Sequence, residues 1–366
     1  MKRLLVAGLL LAALGVISAQ AGAAKPQPND VKRTAAPIWT LAMDGPRVAY
    51  ASGGRIYVWN VVMGATSVVK GTYSNAKHSD NAFEVAIAGQ RVAWIKRQQL
   101  GNTEQPQRLY TARVGGSAIR LRRMLGYTDM GCGSGGSQIA GLVGSGNVLA
   151  VSTWKSSSDG MVPAKQRLNQ ITPTGLRPIA TGPTTIVSAA TDRGPIAVVP
   201  LPTPVLVPAE GYCDLNAPTS VAVYSVDGTL LKQIETGRPV AEVALSGNLL
   251  IVLSGTTTPT FTVYNWKTGA LLHTWPVTRP FDFAVAGQLA AYSVNYRRQS
   301  VTPENLHLLN LTTGKDVVIA TTTNSRYRDL AIGRRGLVYA ANPIKDTWPG
   351  KLVFVPTDKL RSLLSQ

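Results

Sequence analysis

The 366-residue sequence predicts an all-β chain: a seven-bladed β-propeller of four-stranded blades whose ring is closed by the N-terminal segment. Three observations lead there. VAIAGQRVAWI at 85–95 returns almost unchanged as FAVAGQLAAYS at 283–293. Five further segments place a glycine between two short apolar strands, so the anchoring glycines Gly45, Gly89, Gly146, Gly194, Gly247, Gly287 and Gly336 follow one another at 40 to 57 residues. Each such hairpin is followed by a second one, and no segment carries a helical period over three turns.

Taken in order, residues 1–23 read as a secretory signal peptide. Lys2 and Arg3 precede an apolar run from Leu4 to Ala19, and Ala19-Gln20-Ala21 or Ala21-Gly22-Ala23 offers a small-x-small cleavage site. Export to an extracellular or periplasmic compartment is expected, with no transmembrane anchor after cleavage. Residues 24–366 are expected to form one propeller domain, with blades beginning near 41, 85, 139, 187, 243, 283 and 330.

The second hairpins are RIYVWNVVMGATSVV (55–69), RLYTARVGGSAIRLR (108–122), RLNQITPTGLRPIA (167–180), SVAVYSVDGTLLKQI (220–234), FTVYNWKTGALLHTW (261–275), NLHLLNLTTGKDVVI (305–319) and KLVFVPTDKLRSLL (351–364). Alternating Val, Ile, Tyr and Trp about a glycine is hairpin chemistry. A lone four-stranded blade cannot cover its two faces, and seven in a ring cover one another. Small Ala and Gly residues suit the innermost strands, which crowd a central channel. The seventh unit lacks a fourth strand, while the stretch from about Asp30 to Trp39 has no blade of its own. It is expected to return and complete the last blade, removing an open sheet edge.

RIYVWNVVMG, FTVYNWKTGALLHTW and NLHLLNLTTGK resemble third-to-fourth strand hairpins of exported bacterial propellers of the WD-repeat-like and TolB-like kind. The signature Trp-Asp stands here as Trp59-Asn60, Tyr264-Asn265 and Leu309-Asn310, and the usual Gly-His start is absent. The resemblance implies a fold, and propellers host many functions.

Loop lengths divide the ring into two faces. The A–B and C–D turns are tight, whereas the B–C connections (96–107, 155–166, 200–219, 294–304 and 342–350) are long. B–C and D–A connections emerge together, giving one clipped face and one elaborated face, and elaborated loops are where binding concentrates. The net charge of +18 falls to +16 once Lys2 and Arg3 leave. Lys96, Arg97, Lys155, Lys165, Arg297, Arg298, Arg326, Arg328 and Lys345 are expected on the elaborated face, with Tyr296 and Trp348 among them. Such a surface suits an anionic polymer, a glycan or an exported protein partner. No nucleic-acid-binding module is present, so specific nucleic-acid recognition is not expected.

Cys132 and Cys213 are the only cysteines, and both fall in elaborated-face connections. An oxidising compartment would join them as a disulfide, pinning the GCGSGG loop to a proline-rich one; GSGGS (133–137) itself reads as a flexible loop.

An acidic residue precedes strand A in four units: Glu84, Glu242, Asp282 and Asp329. Arg238, Arg279 and Arg326 lie just upstream of three of them. The other blades offer Thr40, Gln138 and Ile186. Two readings are open for this ring of carboxylates at the channel mouth: Arg–carboxylate latches between blades, or oxygen ligands for Ca²⁺ or a cationic group. Catalytic signals are sparse. His78 lies in a D–A loop, His273 and His307 lie in strands, and no nucleophile elbow or phosphate-cradling loop occurs.

The sequence therefore favours a non-enzymatic, monomeric binding propeller that uses its basic long-loop face and needs no cofactor. The alternative is a Ca-dependent enzyme of the lactone-hydrolase or sugar-oxidoreductase type, centred on the channel mouth.

Overall fold

The computed structural model describes residues 30–72, 81–97, 104–128, 134–156, 163–182, 185–201, 205–207, 212–214, 218–255, 258–278, 280–294, 304–322, 325–343 and 349–366. These form seven antiparallel four-stranded blades in a ring. Strands A to D of the blades are, for blade 1, Ile38–Asp44, Arg47–Ser52, Arg55–Asn60 and Thr66–Val68; for blade 2, Asn81–Ala88, Arg91–Arg97, Glu104–Arg113 and Ile119–Thr128. Blade 3 has Ser134–Ser145, Val148–Ser156, Pro163–Ile171 and Leu176–Gly182. Blade 4 has Thr185–Thr191, Ile196–Leu201, Ser220–Tyr224 and Leu230–Glu235. Blade 5 has Val240–Ser246, Leu249–Ser254, Thr260–Asn265 and Ala270–Pro276. Blade 6 has Pro280–Ala286, Leu289–Val294, Glu304–Asn310 and Asp316–Thr322. Blade 7 takes Ser325–Gly333, Gly336–Pro343 and Lys351–Pro356 from the end of the chain and Asp30–Arg33 from its beginning.

That last strand is the predicted closure, though shorter than expected. Asp30 to Arg33 pair with Phe354 to Lys351, and by Ile38 the chain already belongs to blade 1. The core explains why the ring must close. Alternate residues of a strand point to opposite sheet faces, so each blade feeds both neighbours. Val48 and Tyr50 pack with Val338, Ala340 and Phe354 of blade 7, whereas Ala49 and Ala51 pack with Val92 and Trp94 of blade 2. Seven apolar clusters result, each between adjacent blades. The inner strands come close enough that a Cβ on Gly144 of blade 3 would sit 2.7 Å from the Ile87 carbonyl of blade 2.

Repeated side-chain devices fix the blades internally. Residues directly opposite on strands B and C stack in three of them: Tyr50 on Tyr57, Trp94 on Tyr110 and Tyr292 on His307, with centroids 5.1, 5.4 and 4.8 Å apart. Asn60, Asn265 and Asn310 explain the second letter of the Trp-Asn, Tyr-Asn and Leu-Asn pairs. Each side-chain oxygen accepts the amides two and three residues on, closing the C–D turn.

Three local expectations are corrected. The chain ends in a helix, α1 (Thr357–Ser365), where no helical segment was expected. Because the N-terminal strand already fills position D, the last segment is free to fold back, and it buries Leu360 against blades 6 and 7. The GSGGS segment is not a loop: from Ser134 it is strand, and Ser134 to Gly136 pair with Thr128 to Gly126. Blades 2 and 3 thereby share one eight-stranded sheet. In blade 4 the residue in the left-handed conformation is Arg193, at φ 61°, and not Gly194. The blade 4 B–C connection also carries a small hairpin, Val205–Val207 with Tyr212–Asp214. No helix among the described residues is long and apolar enough to cross a membrane.

Candidate functional site: the central channel

The seven A strands enclose a channel of about 760 Å³. Every A strand has a bulge near its elaborated-face end, with one extra residue against strand B. A bulge re-aims the next side chain. That next residue is Thr40, Glu84, Gly141, Ser188, Glu242 or Asp282 in blades 1 to 6, and Asp329 occupies the same place in blade 7. The four acids are thus equivalent, as their spacing implied. The residues expected in blades 3 and 4 are corrected from Gln138 and Ile186 to Gly141 and Ser188, which lie five residues before the left-handed turn residues Gly146 and Arg193, as Thr40, Glu84, Glu242 and Asp282 do before Gly45, Gly89, Gly247 and Gly287.

These side chains join blades through main-chain amides. Glu84 Oε1 accepts the Leu142 N–H of blade 3 at 2.6 Å, and Asp282 Oδ2 accepts that of Leu330 in blade 7 at 3.1 Å. Asp329 Oδ2 accepts the Leu41 N–H of blade 1 at 2.6 Å, across the closure. Ser188 Oγ accepts the Val243 N–H of blade 5 at 3.2 Å. Among the described residues these latches run from side-chain oxygen to backbone amide. The Arg238 side chain is exposed and makes no ion pair with Glu242 among the described residues. Arg279 lies outside the described residues, as does the Arg326 side chain.

The acids are half-buried in the channel wall, and they repel one another. Burial, and then the neighbouring Asp329, lift Glu242 to about 7. Burial lifts Glu84 to about 7 against the pull of the Leu142 amide, with Asp329 raising it further and Arg97 lowering it. Asp329 stands at about 6, pushed up by burial and held back by the Leu41 amide and by hydrogen bonds from Asp282 and Thr40. Asp282 is driven well above the usual carboxylate range by burial, then by Asp329 and Glu242. A proton on Asp282, donated to Asp329, satisfies both shifts. Among the described residues no group of three or more His, Cys, Asp or Glu is placed to hold a metal ion.

A second ring of latches, which sequence reasoning missed, lies at the clipped-face end of the same strands. Asp44 accepts the amides of Gly89 at 2.6 Å and Gly146 at 3.0 Å, bridging blades 1, 2 and 3. Asp192 accepts the Gly247 amide and Ser246 accepts the Gly287 amide, each at 2.6 Å. The anchoring glycines are thus donors as well as turn formers. Reading one residue upstream of Gly45, Gly146 and Gly247 would have shown Asp44, Ser145 and Ser246 in register.

The expected basic face is only partly described. Lys96 is 6 % exposed and donates to the Thr72 carbonyl at 3.1 Å, so it serves the ring. Arg97 is half-buried beside Glu84, and Lys155 is exposed. Tyr296, Arg297, Arg298, Lys345 and Trp348 lie outside the described residues, as does the Arg328 side chain. Cys132 and His78 also lie outside them, while Cys213 is in the small hairpin of blade 4. His307 Nδ1 lies 3.2 Å from Asp316, which also accepts the Tyr292 hydroxyl; the three brace blade 6.

With this geometry in hand, comparison with known proteins adds the fold. A chain in the structure titled Crystal Structure of Mitotic Checkpoint Complex superposes at a TM-score of 0.52, with 15 % identity over 91 % of this chain and 96 % of that one. The chain has the fold of a seven-bladed β-propeller. At that identity the likeness is one of fold. No family model matches the sequence, and no curated protein matches it.

Proposed function

We propose that this propeller is an exported, non-enzymatic interaction module whose elaborated face engages a protein partner or an anionic envelope polymer. One observation carries the reading: three of the four channel carboxylates are already engaged by backbone amides of the next blade. Oxygens that hold the ring together are poorly placed to hold a substrate or a catalytic Ca²⁺. A rigid ring presenting long loops is suited to recognition instead. The superposed chain comes from a structure that its title describes as a complex, which fits a protein partner. In the same reading residues 1–23 are removed on export, the mature protein is a monomer, and Cys132 and Cys213 are oxidised to a bridge.

The test is retention of the mature protein on an anionic polysaccharide matrix across a salt gradient, beside the Arg297→Glu/Arg298→Glu variant. Elution at clearly lower salt for the variant, with unchanged thermal unfolding, supports the basic face. Equal elution removes it. A rise in Tm on adding Ca²⁺, lost in Glu242→Gln, would favour the enzyme alternative.

A further inference from the structure

The clipped face holds a cleft that the elaborated-face reading does not use. It lies between blades 2 and 3, encloses about 590 Å³, and is lined by Gln90, Arg91, Arg113, Asn147, Gln170 and Thr172 among others. That volume suits a small molecule or one or two units of a polymer.

Its two arginines depart from a pairing that three sister blades share. Arg91 opens strand B of blade 2, and Arg113, which ends strand C, is its direct cross-strand partner. The corresponding pairs are Arg47 with Asn60 in blade 1, Leu249 with Asn265 in blade 5, and Leu289 with Asn310 in blade 6. In all three the strand C residue is the asparagine that closes the C–D turn. Blade 2 forgoes that asparagine and sets two like charges opposite each other, with Cβ atoms roughly 5 Å apart. Neither guanidinium has a hydrogen-bond or ion-pair partner among the described residues.

No acid answers them from within the cleft. Asp44, latched to Gly89, lines the channel rather than this cleft, and both of its oxygens are taken by the amides of Gly89 and Gly146. Arg47 adds a third positive charge close by, donating to the Gly89 carbonyl at 3.3 Å. Burial lowers the Arg91 pKa from its ordinary value, and the facing Arg113 lowers it further, which is the mark of a cation lacking its counter-charge. A local rule broken without compensation inside the fold points to compensation from outside it.

We propose that Arg91 and Arg113 form a binding site for a phosphate group, with Gln90, Asn147, Gln170 and Thr172 available to the rest of the ligand. Two guanidinium forks on paired positions of adjacent strands, both lining one cleft, suit the oxygens of one phosphate. Gln170 already accepts from Arg177 at 2.6 Å through its oxygen, which leaves its amide N–H groups as donors. The phosphate is either that of a free monoester or one repeat of a phosphodiester polymer.

The experiment is isothermal titration of the mature protein, at fixed ionic strength, with glycerol 1-phosphate and separately with a glycerol-phosphate oligomer. The wild type is set beside Arg113→Asn, which restores the residue of the sister blades, and beside Lys267→Gln, a charge removed elsewhere on the clipped face. We expect Arg113→Asn to weaken binding at least ten-fold and Lys267→Gln to change it less than two-fold. Arg113→Asn should also raise Tm in chloride buffer, because a repulsion is gone. Preference for the monoester identifies a soluble ligand, and preference for the oligomer identifies a polymer. Binding that survives Arg113→Asn, or no binding of either probe to the wild type, overturns the site.

Discussion

The two ends of the inner strands use one device in two environments. At the elaborated end Glu84, Asp282 and Asp329 accept amides from the next blade deep within a cluster of like charges. At the clipped end Asp44 and Asp192 accept the amides of left-handed turn glycines, and Asp192 keeps about a quarter of its side chain in water. The hydrogen bonds have similar lengths at both ends. What differs is who supports the charge. At the clipped end Arg193 lies 3.8 Å from Asp192, whereas at the elaborated end the acids crowd one another and their pKa values rise.

Closure is where that comparison breaks most severely, because both rings of latches need a complete circle. Without residues 30–33, Leu352 and Phe354 keep cross-strand partners on one side only, and blade 7 presents an open edge. The Asp329–Leu41 latch then has only side-chain packing to hold it. Thermal unfolding of a variant lacking residues 24–33 should fall by on the order of 5 °C or more relative to the mature protein. An unchanged Tm would show that the N-terminal strand is dispensable and that packing alone closes the ring.

This closure was legible because it follows from a count: a seventh unit short of a strand, and a leading segment without a blade. The four acids were legible for a similar reason, since a residue type recurred at one place in a period. What could not be read was how they bond. Trp39, Phe83 and Ala241 are the extra residues of their bulges, and a bulge shifts which side chain enters the channel without leaving a letter in the sequence. Gln138 and Ile186 were misaligned for a different reason: strand A was begun too early in blades 3 and 4, and counting five residues back from the turn residues Gly146 and Arg193 gives Gly141 and Ser188. Helix α1 escaped because its nine residues give too few turns for a period, and its place depends on a strand contributed from the other end of the chain. Arg91 and Arg113 lie 22 residues apart, and only the pairing of strands B and C shows that they face each other.

Replacing one acid at each end by its amide separates the two environments. Asp282→Asn should be neutral or stabilising above pH 7. Its oxygen can still accept the Leu330 amide, and its N–H can donate to Asp329 as a protonated acid does. Asp44→Asn should cost about 1–2 kcal/mol, because its two oxygens serve two donors and an amide offers only one acceptor. Chemical denaturation of the two variants at pH 7.5 measures both. Equal losses would mean that the ends do not differ in kind.

The finest test of the contrast is the pH dependence itself. Glu84 and Glu242 stand at about 7 and Asp329 at about 6 in the folded protein, against ordinary carboxylate values near 4 in the unfolded chain. Between these values the native state binds more protons than the unfolded one. Stability from this cluster is therefore full below about pH 4 and lost as pH rises through about 7. Tm should fall over that interval, beyond any contribution from groups elsewhere. Glu242 accepts no amide among the described residues, so Glu242→Gln removes a titrating charge without breaking a latch. The variant should flatten the fall by up to about 1.4 kcal/mol per pH unit and match the wild type near pH 4. A parallel profile would place the protons elsewhere and leave the buried acids as fasteners no different from Asp44 and Asp192.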